Sequence, residues 1–189
     1  NLMAVTKDED HYFLSRFVGY RFHPVRLNVP FGIHFSWTWP HLAVHSRSGE
    51  WWLATGAGLL RYAHGLGTAP SLAAEGNTFS VFEDSRGTVW AGVPHPTSGD
   101  GLFRRHPGAD RFEKLGEADG LPPLRRWEDV PSAFVEDRKG QIWIGMLNGS
   151  LVRFRGGRFQ NIASPSGAPR RGVRALLLDQ QGRLWIGTK

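Results

Sequence analysis

Cysteine is absent from the 189 residues, so neither a disulfide nor thiol chemistry contributes, and either redox compartment stays open. No apolar run approaches the length of about 18 residues that a helical membrane span needs, and no membrane contact by this segment is expected. Catalytic signatures are missing as well. There is no H-E-x-x-H for zinc, no G-x-S-x-G for a nucleophilic serine and no glycine-rich phosphate loop ahead of a helix. No catalytic residue, no metal ligand and no cofactor is therefore assigned. The net charge is +6, from 23 Lys and Arg against 17 Asp and Glu. A basic chain raises the question of nucleic acid, but no basic helix, RNA-binding signature or zinc-finger spacing is found, and the pairs Arg104–Arg105, Arg125–Arg126 and Arg170–Arg171 are dispersed. Nucleic acid is not an expected partner.

What the chain has is repetition. "DRKGQIWIG" at 137–145 returns as "DQQGRLWIG" at 179–187, with a third copy, "DSRGTVWAG", at 84–92 and a worn one, "SRSGEWWLA", at 46–54. Aligned on Gly49, Gly87, Gly140 and Gly182, the copies bring Trp52, Trp90, Trp143 and Trp185 into register, at spacings of 38, 53 and 42 residues. A second signature follows the first three: "GLLRY" at 58–62, "GLFRR" at 101–105 and "SLVRF" at 150–154, with "FLSRF" at 13–17 standing before the first tryptophan copy.

Within a unit the pattern has period two. In 131–163, "SAFVED", "QIWIGM", "SLVRFR" and "RFQNIA" are separated by short glycine-containing turns, which reads as a four-stranded antiparallel meander. One such sheet cannot bury both its faces, but copies packed face to face around an axis can, as in a β-propeller blade. Asp84, Asp137 and Asp179 suit hydrogen bonding to the amides of the hairpin turn, with Gly at its end supplying positive φ; Ser46 is a weaker form of the same device. The apolar runs before these turns suit an innermost strand buried between neighbours. The repeated tryptophans either fill the gap between sheets or stack on a ligand, and packing is the expected role.

The stretches "DRKGQIWIGMLNGSLVRFRGGRF" and "VRALLLDQQGRLWIGT", with "DGLP" at 119–122 ahead of an inner strand, resemble the two-component regulator propeller repeat of bacterial hybrid histidine kinases and related signalling proteins. The resemblance is strongest from 78 to 189 and weakens before residue 40, where "NLMAVT" stands in for a second strand without its Trp. It implies a non-catalytic, ligand-sensing domain in the periplasm or otherwise outside the cytoplasm, with signalling domains elsewhere in the full-length chain. It also implies a larger ring, so the expected fold is all-β: a partial, open propeller arc of about four repeats. Its whole blades are 39–74, 78–116 and 131–163, flanked by partial blades at 1–25 and 171–189. The chain opens without an initiator Met or leader and is read as an internal segment whose parent continues at both ends. Open blade edges, with Leu2, Ala4, Leu14 and Phe17 on one side and Leu176, Leu178, Leu184 and Ile186 on the other, give a route to self-association.

If the strands of a blade run A to D from axis to rim, the D-to-A links and B-to-C turns share one face. The long segments 26–38, 117–130 and 164–171 are D-to-A links, and 94–100 is a B-to-C insertion, so the variable loops converge on that face, where binding tends to reside. They carry His34, Trp37, Trp39, His95, Arg125, Arg126, Trp127, Arg170 and Arg171. Aromatic faces beside forked arginine donors suit a sugar ring, an aromatic compound or a carboxylate, so a small molecule or oligosaccharide is the expected partner. The competing reading has Trp37, Trp39 and Trp127 anchoring their own loops. Asp8, Glu9 and Asp10 form an acidic hairpin tip, and His41 and His45 share a strand face as a packed pair rather than a metal site, no third ligand being identifiable. The alternative function is a propeller enzyme of the lyase or lactonase kind with an axial metal. That would need polar ligands on the inner strands, where Glu83 and Glu136 beside the turns are the carboxylates available.

Overall fold

The computed structural model describes residues 3–8, 11–25, 27–29, 42–93, 101–162 and 171–188. The alternating runs form five antiparallel sheets in chain order. The first has three strands, β1 (Met3–Asp8), β2 (His11–Val18) and β3 (Arg21–Val25). Three four-stranded meanders follow. The second sheet is β4 (Ala43–His45), β5 (Trp51–Thr55), β6 (Gly58–Tyr62) and β7 (Ser71–Glu75). The third is β8 (Ser80–Glu83), β9 (Val89–Val93), β10 (Gly101–Arg105) and β11 (Glu113–Leu115). The fourth is β12 (Pro131–Glu136), β13 (Ile142–Met146), β14 (Leu151–Arg155) and β15 (Arg158–Ile162). The last sheet has two strands, β16 (Val173–Leu178) and β17 (Leu184–Thr188). Among the described residues the sole helical element is one 3₁₀ turn, Glu117–Asp119. The architecture is that of an open propeller arc.

The repeated nine residues build one device. In the third sheet the Asp84 carboxylate accepts the Arg86 and Thr88 amides through Oδ1, at 3.0 and 2.9 Å, and the Trp90 indole Nε1–H through Oδ2, at 3.1 Å. Asp137 does the same with Lys139, Gln141 and Trp143, and Asp179 with Gln181, Arg183 and Trp185. Gly49, Gly87, Gly140 and Gly182 close these turns at φ between 70° and 86°, a region costly for a residue with a side chain. The arginine of the second signature lies directly across the strand pair from the tryptophan, Trp52 opposite Arg61, Trp90 opposite Arg104 and Trp143 opposite Arg153. Its guanidinium covers the indole face at 5.8, 5.9 and 5.3 Å.

Trp52, Trp90 and Trp143 each point at the next sheet. Trp52 packs with Phe79 in the link ahead of β8 and with Val81 and Ala91 of the third sheet, Trp90 with Phe134, Ile142 and Ile144 of the fourth, and Trp143 against Val173 and Leu176 of the last. The glycine two residues after the tryptophan permits the approach: a Cβ on Gly92 would stand 2.5 Å from the Pro131 carbonyl oxygen, and one on Gly145 would collide with the Val173 side chain. The first strands converge on the axial side, where Ser80 Oγ donates to the Pro131 carbonyl at 3.1 Å and Ser132 Oγ to that of Val173 at 2.7 Å. At the β4–β5, β8–β9 and β12–β13 turns a second set of bonds runs in the same sense. The Arg47 amide donates to Glu83 and the Ser85 amide to Glu136, while the guanidinium groups of Arg47, Arg86 and Arg138 reach the carbonyls of Asp84, Gly140 and Gln180.

Two expectations are corrected. Leu14 and Leu176 are not bare edge residues: both are buried, Leu14 beside Leu53 and Leu60 of the second sheet and Leu176 beside Ala133 and Val173; Trp185 keeps its bond to Asp179 and is 56 % exposed, as among the described residues no sheet packs on that side. The inner strands are not uniformly buried, since β12 is mostly enclosed whereas β4 is partly open.

Burial therefore sets the worth of an otherwise identical residue. Trp90→Ala, at 2 % exposure, is expected to cost about 3 to 5 kcal/mol, and Trp185→Ala less than about 1 kcal/mol, measured by urea unfolding of the two variants. Equal costs would contradict the packing described.

The carboxylates also make stability depend on acid. For Asp137, burial pushes the carboxyl up, but hydrogen bonds from Trp143, Gln141 and Lys139 and the Lys139 charge hold it below the usual range. The Trp185 indole and Arg183 hold the partly buried Asp179 at about 2. The folded form thus binds fewer protons than the unfolded one in acid. The stabilisation is complete above the unfolded carboxyl value of about 4 and is lost as the pH falls toward about 2. Urea midpoints should be flat from about pH 7 to 5 and drop below about pH 4, with Asp137→Asn less stable at neutral pH but dropping less.

Candidate ligand-binding face

The links from the last strand of one sheet to the first of the next lie beside the turns between second and third strands. Thr78 donates its amide to the Thr55 carbonyl at 2.9 Å, and Leu147 to that of Val130 at 2.9 Å. Both classes of connection therefore share one face, opposite the D-x-x-G turns.

The 116–130 link is built in two stages. Gly120, at φ 87°, ends the 3₁₀ turn and lets Leu121 drop into the core between the third and fourth sheets, where Leu124 packs beside it. The chain then folds around Asp129. Its Oδ2 accepts the Arg125 and Arg126 amides at 3.0 and 2.9 Å, its Oδ1 accepts Asn148 Nδ2 at 2.8 Å, and the Asp129 amide donates back to the Arg126 carbonyl. Asn148 is fixed in turn by Ser150, whose amide and hydroxyl donate to its Oδ1. Burial pushes the Asp129 carboxyl up, but Asn148, the two amides and the Arg126 charge together hold it below the usual range, so it is ionised at neutral pH.

On this rigid tip the side chains turn outward. Trp127 is 65 % exposed and the Arg126 side chain 71 %, its Nη2 3.6 Å from Asp129 Oδ1. Arg125 is exposed too. Trp127 does not anchor its own loop; Asp129, Leu121 and Leu124 do that. On the other flank of the same turn, Gly172 lies so close to the Leu147 carbonyl that a Cβ would clash, which brings exposed Arg171 to this side of the molecule. The structure thus gathers Arg125, Arg126, Trp127 and Arg171 around the 147–149 turn. His34, Trp37, Trp39, His95 and Arg170 lie outside the described residues, as do His41, Glu9 and Asp10. His45 stacks on Trp51, ring centroids 4.4 Å apart.

The carboxylates that an axial metal would need are engaged elsewhere. Glu83 and Glu136 accept the Arg47 and Ser85 amides across the gaps between sheets, and Ser85 Oγ adds a second bond to Glu136. Among the described residues no group of three or more His, Asp or Glu is placed to hold a metal ion. Sequence reading missed Asp129 and Asn148, 19 residues apart and joined by no periodicity; the weak signal was an acidic residue closing a link rich in arginine.

A family model described as the two component regulator propeller matches residues 167–189. None of the curated proteins compared with the sequence matches it. Among solved structures, the extracellular domain described as that of a hybrid two-component system, BT3049 from B. thetaiotaomicron, superposes with a TM-score of 0.66 at 15% identity over 98% of this chain and 26% of its own. A second such domain, BT4673 from the same organism, gives 0.60 at 20% identity over 97% and 25%. A streptogramin B lyase gives 0.62 at 14% identity over 98% and 61%. The chain spans about a quarter of the first two. These likenesses show a shared propeller fold, and residues 167–189 match the two component regulator propeller repeat.

Proposed function

We propose that this two-component regulator propeller segment is a non-catalytic recognition domain of a bacterial signal-transduction protein, working outside the cytoplasm. Its ligand is a small molecule or glycan, bound on the face that carries Arg125, Arg126, Trp127 and Arg171, and binding biases signalling domains elsewhere in the full-length protein. The carrying observation is Trp127: a large aromatic left 65 % exposed on a loop that three hydrogen bonds to Asp129 hold rigid. An exposed indole flanked by guanidinium groups on a preordered loop loses little conformational freedom on binding, which favours affinity. Two structural neighbours are described as extracellular domains of hybrid two-component systems, which supports the setting. The use of Glu83 and Glu136 as inter-sheet acceptors weighs against the lyase or lactonase reading, although a lyase shares the fold.

A thermal-shift screen with oligosaccharides and small carboxylic acids is expected to find a stabilising compound. Trp127→Ala and Arg126→Ala should then weaken its binding about tenfold or more while leaving the unliganded melting temperature within about 2 °C. Unfolding comparable to that of Trp90→Ala would make the loop structural, and unchanged affinity would remove it from the site.

A further inference from the structure

The second and third sheets meet differently from the third and fourth, and three departures from the repeat coincide there. Ser46 replaces the turn aspartate, its hydroxyl satisfying the Glu50 amide, so the Trp52 Nε1–H is buried with no partner. Glu50 stands where Thr88, Gln141 and Arg183 occupy the other copies, and its carboxylate accepts Arg61 Nε at 2.8 Å and lies 3.5 Å from Arg105 Nη1. Arg105 takes the slot that is Tyr62 in the second sheet and Phe154 in the fourth. Phe154 uses that slot to meet Trp90 edge-on at 5.2 Å, whereas Arg105 lays its guanidinium 5.3 Å from the Trp52 ring centroid.

The exchange of an aromatic for a cation leaves two guanidinium groups sharing one carboxylate on a single indole. Beside them is a cleft of about 660 Å³ between the outer strands β7 and β10–β11. Leu72, Phe103 and Phe112 form its apolar wall, Phe112 edge-on to Trp52 at 5.5 Å. Its charges, with Glu50 behind the arginines, are Arg61, Arg105, Arg111 and Lys114 against Glu50, Glu75 and Asp110, an excess of one positive charge. A charge held in a packing slot with half a counterion is costly unless something completes the pairing. Rule-breaking residues that cluster beside a cavity are where function is expected.

We propose that this cleft binds a small monocarboxylate with a flat apolar body, its carboxylate on the Arg105 guanidinium and its ring along Phe103, Phe112 and Leu72. The site is on the rim between two sheets and is independent of the Trp127 face.

The test is calorimetric titration of the protein with 1-naphthoate, and with the neutral naphthalene-1-methanol, at about 50 mM salt, where charge attraction is little screened. Naphthoate should bind saturably, and the alcohol at least about tenfold more weakly. Arg105→Phe restores the aromatic of the other copies, so it should fold at least as well while losing about tenfold or more in naphthoate affinity. Arg111→Gln, at an exposed position, should weaken binding about threefold with an unchanged melting temperature and keeps the test decisive if Arg105→Phe fails to fold. Leu177→Ala, at an exposed position on the last sheet and outside both sites, should bind naphthoate at the cleft as the parent does. No saturable binding up to about 5 mM, equal binding of the alcohol, parent-like binding by a folded Arg105→Phe, parent-like binding by Arg111→Gln, or a loss in Leu177→Ala would each overturn the proposal.

Discussion

One carboxylate with its two oxygens divided organises each repeat. Oδ1 of Asp84, Asp137 or Asp179 closes a hairpin by taking two amides, and Oδ2 takes the indole N–H of a tryptophan six residues on. Turn and core residue are thereby fixed to one another, and the indole so held is set against the next sheet where one follows. The cross-strand arginine, the small residue that lets sheets approach and the direction of packing all follow from that placement. Where the aspartate is missing, at Ser46, the hairpin survives through the hydroxyl but the indole nitrogen of Trp52 is left alone.

Much of the architecture was legible because its causes are local. Period-two runs bounded by glycine turns, such as 141–146 against the observed Ile142–Met146, need only the pleat and the turn to be explained. The bond from aspartate to tryptophan was not read, although both residues stood aligned, since a turn motif by itself concerns amides. Trp185 shows a different limit. Its letters equal those of Trp143, but burial is supplied by a neighbour and not by the residue. The face bearing Arg125, Arg126 and Trp127 could be located from strand order alone. What makes it rigid could not, because Asp129 and Asn148 meet across a sheet junction with no spacing to announce it.

The two sides of the molecule divide their chemistry accordingly. The side of the D-x-x-G turns spends its arginines and glutamates on neighbouring backbone, which leaves those groups committed. The opposite side commits a single buried aspartate to its loop and leaves arginines and a tryptophan facing outward. Between the second and third sheets, Arg105 puts a charge in a position that Tyr62 and Phe154 fill with an aromatic ring in the second and fourth sheets.

Among the described residues, the bonds between sheets at the D-x-x-G turns run from one sheet's amide or guanidinium to the following sheet's carboxylate or carbonyl. The third and fourth sheets therefore each have an acceptor flank and a donor flank, which gives the stack a polarity like that of a head-to-tail polymer. Such a stack is cooperative only between nearest neighbours, so damage to one turn loosens two sheets and stops there. A sheet docked in the opposite sense would set donor against donor at these turns, so the pairing distinguishes one packing order from its reverse.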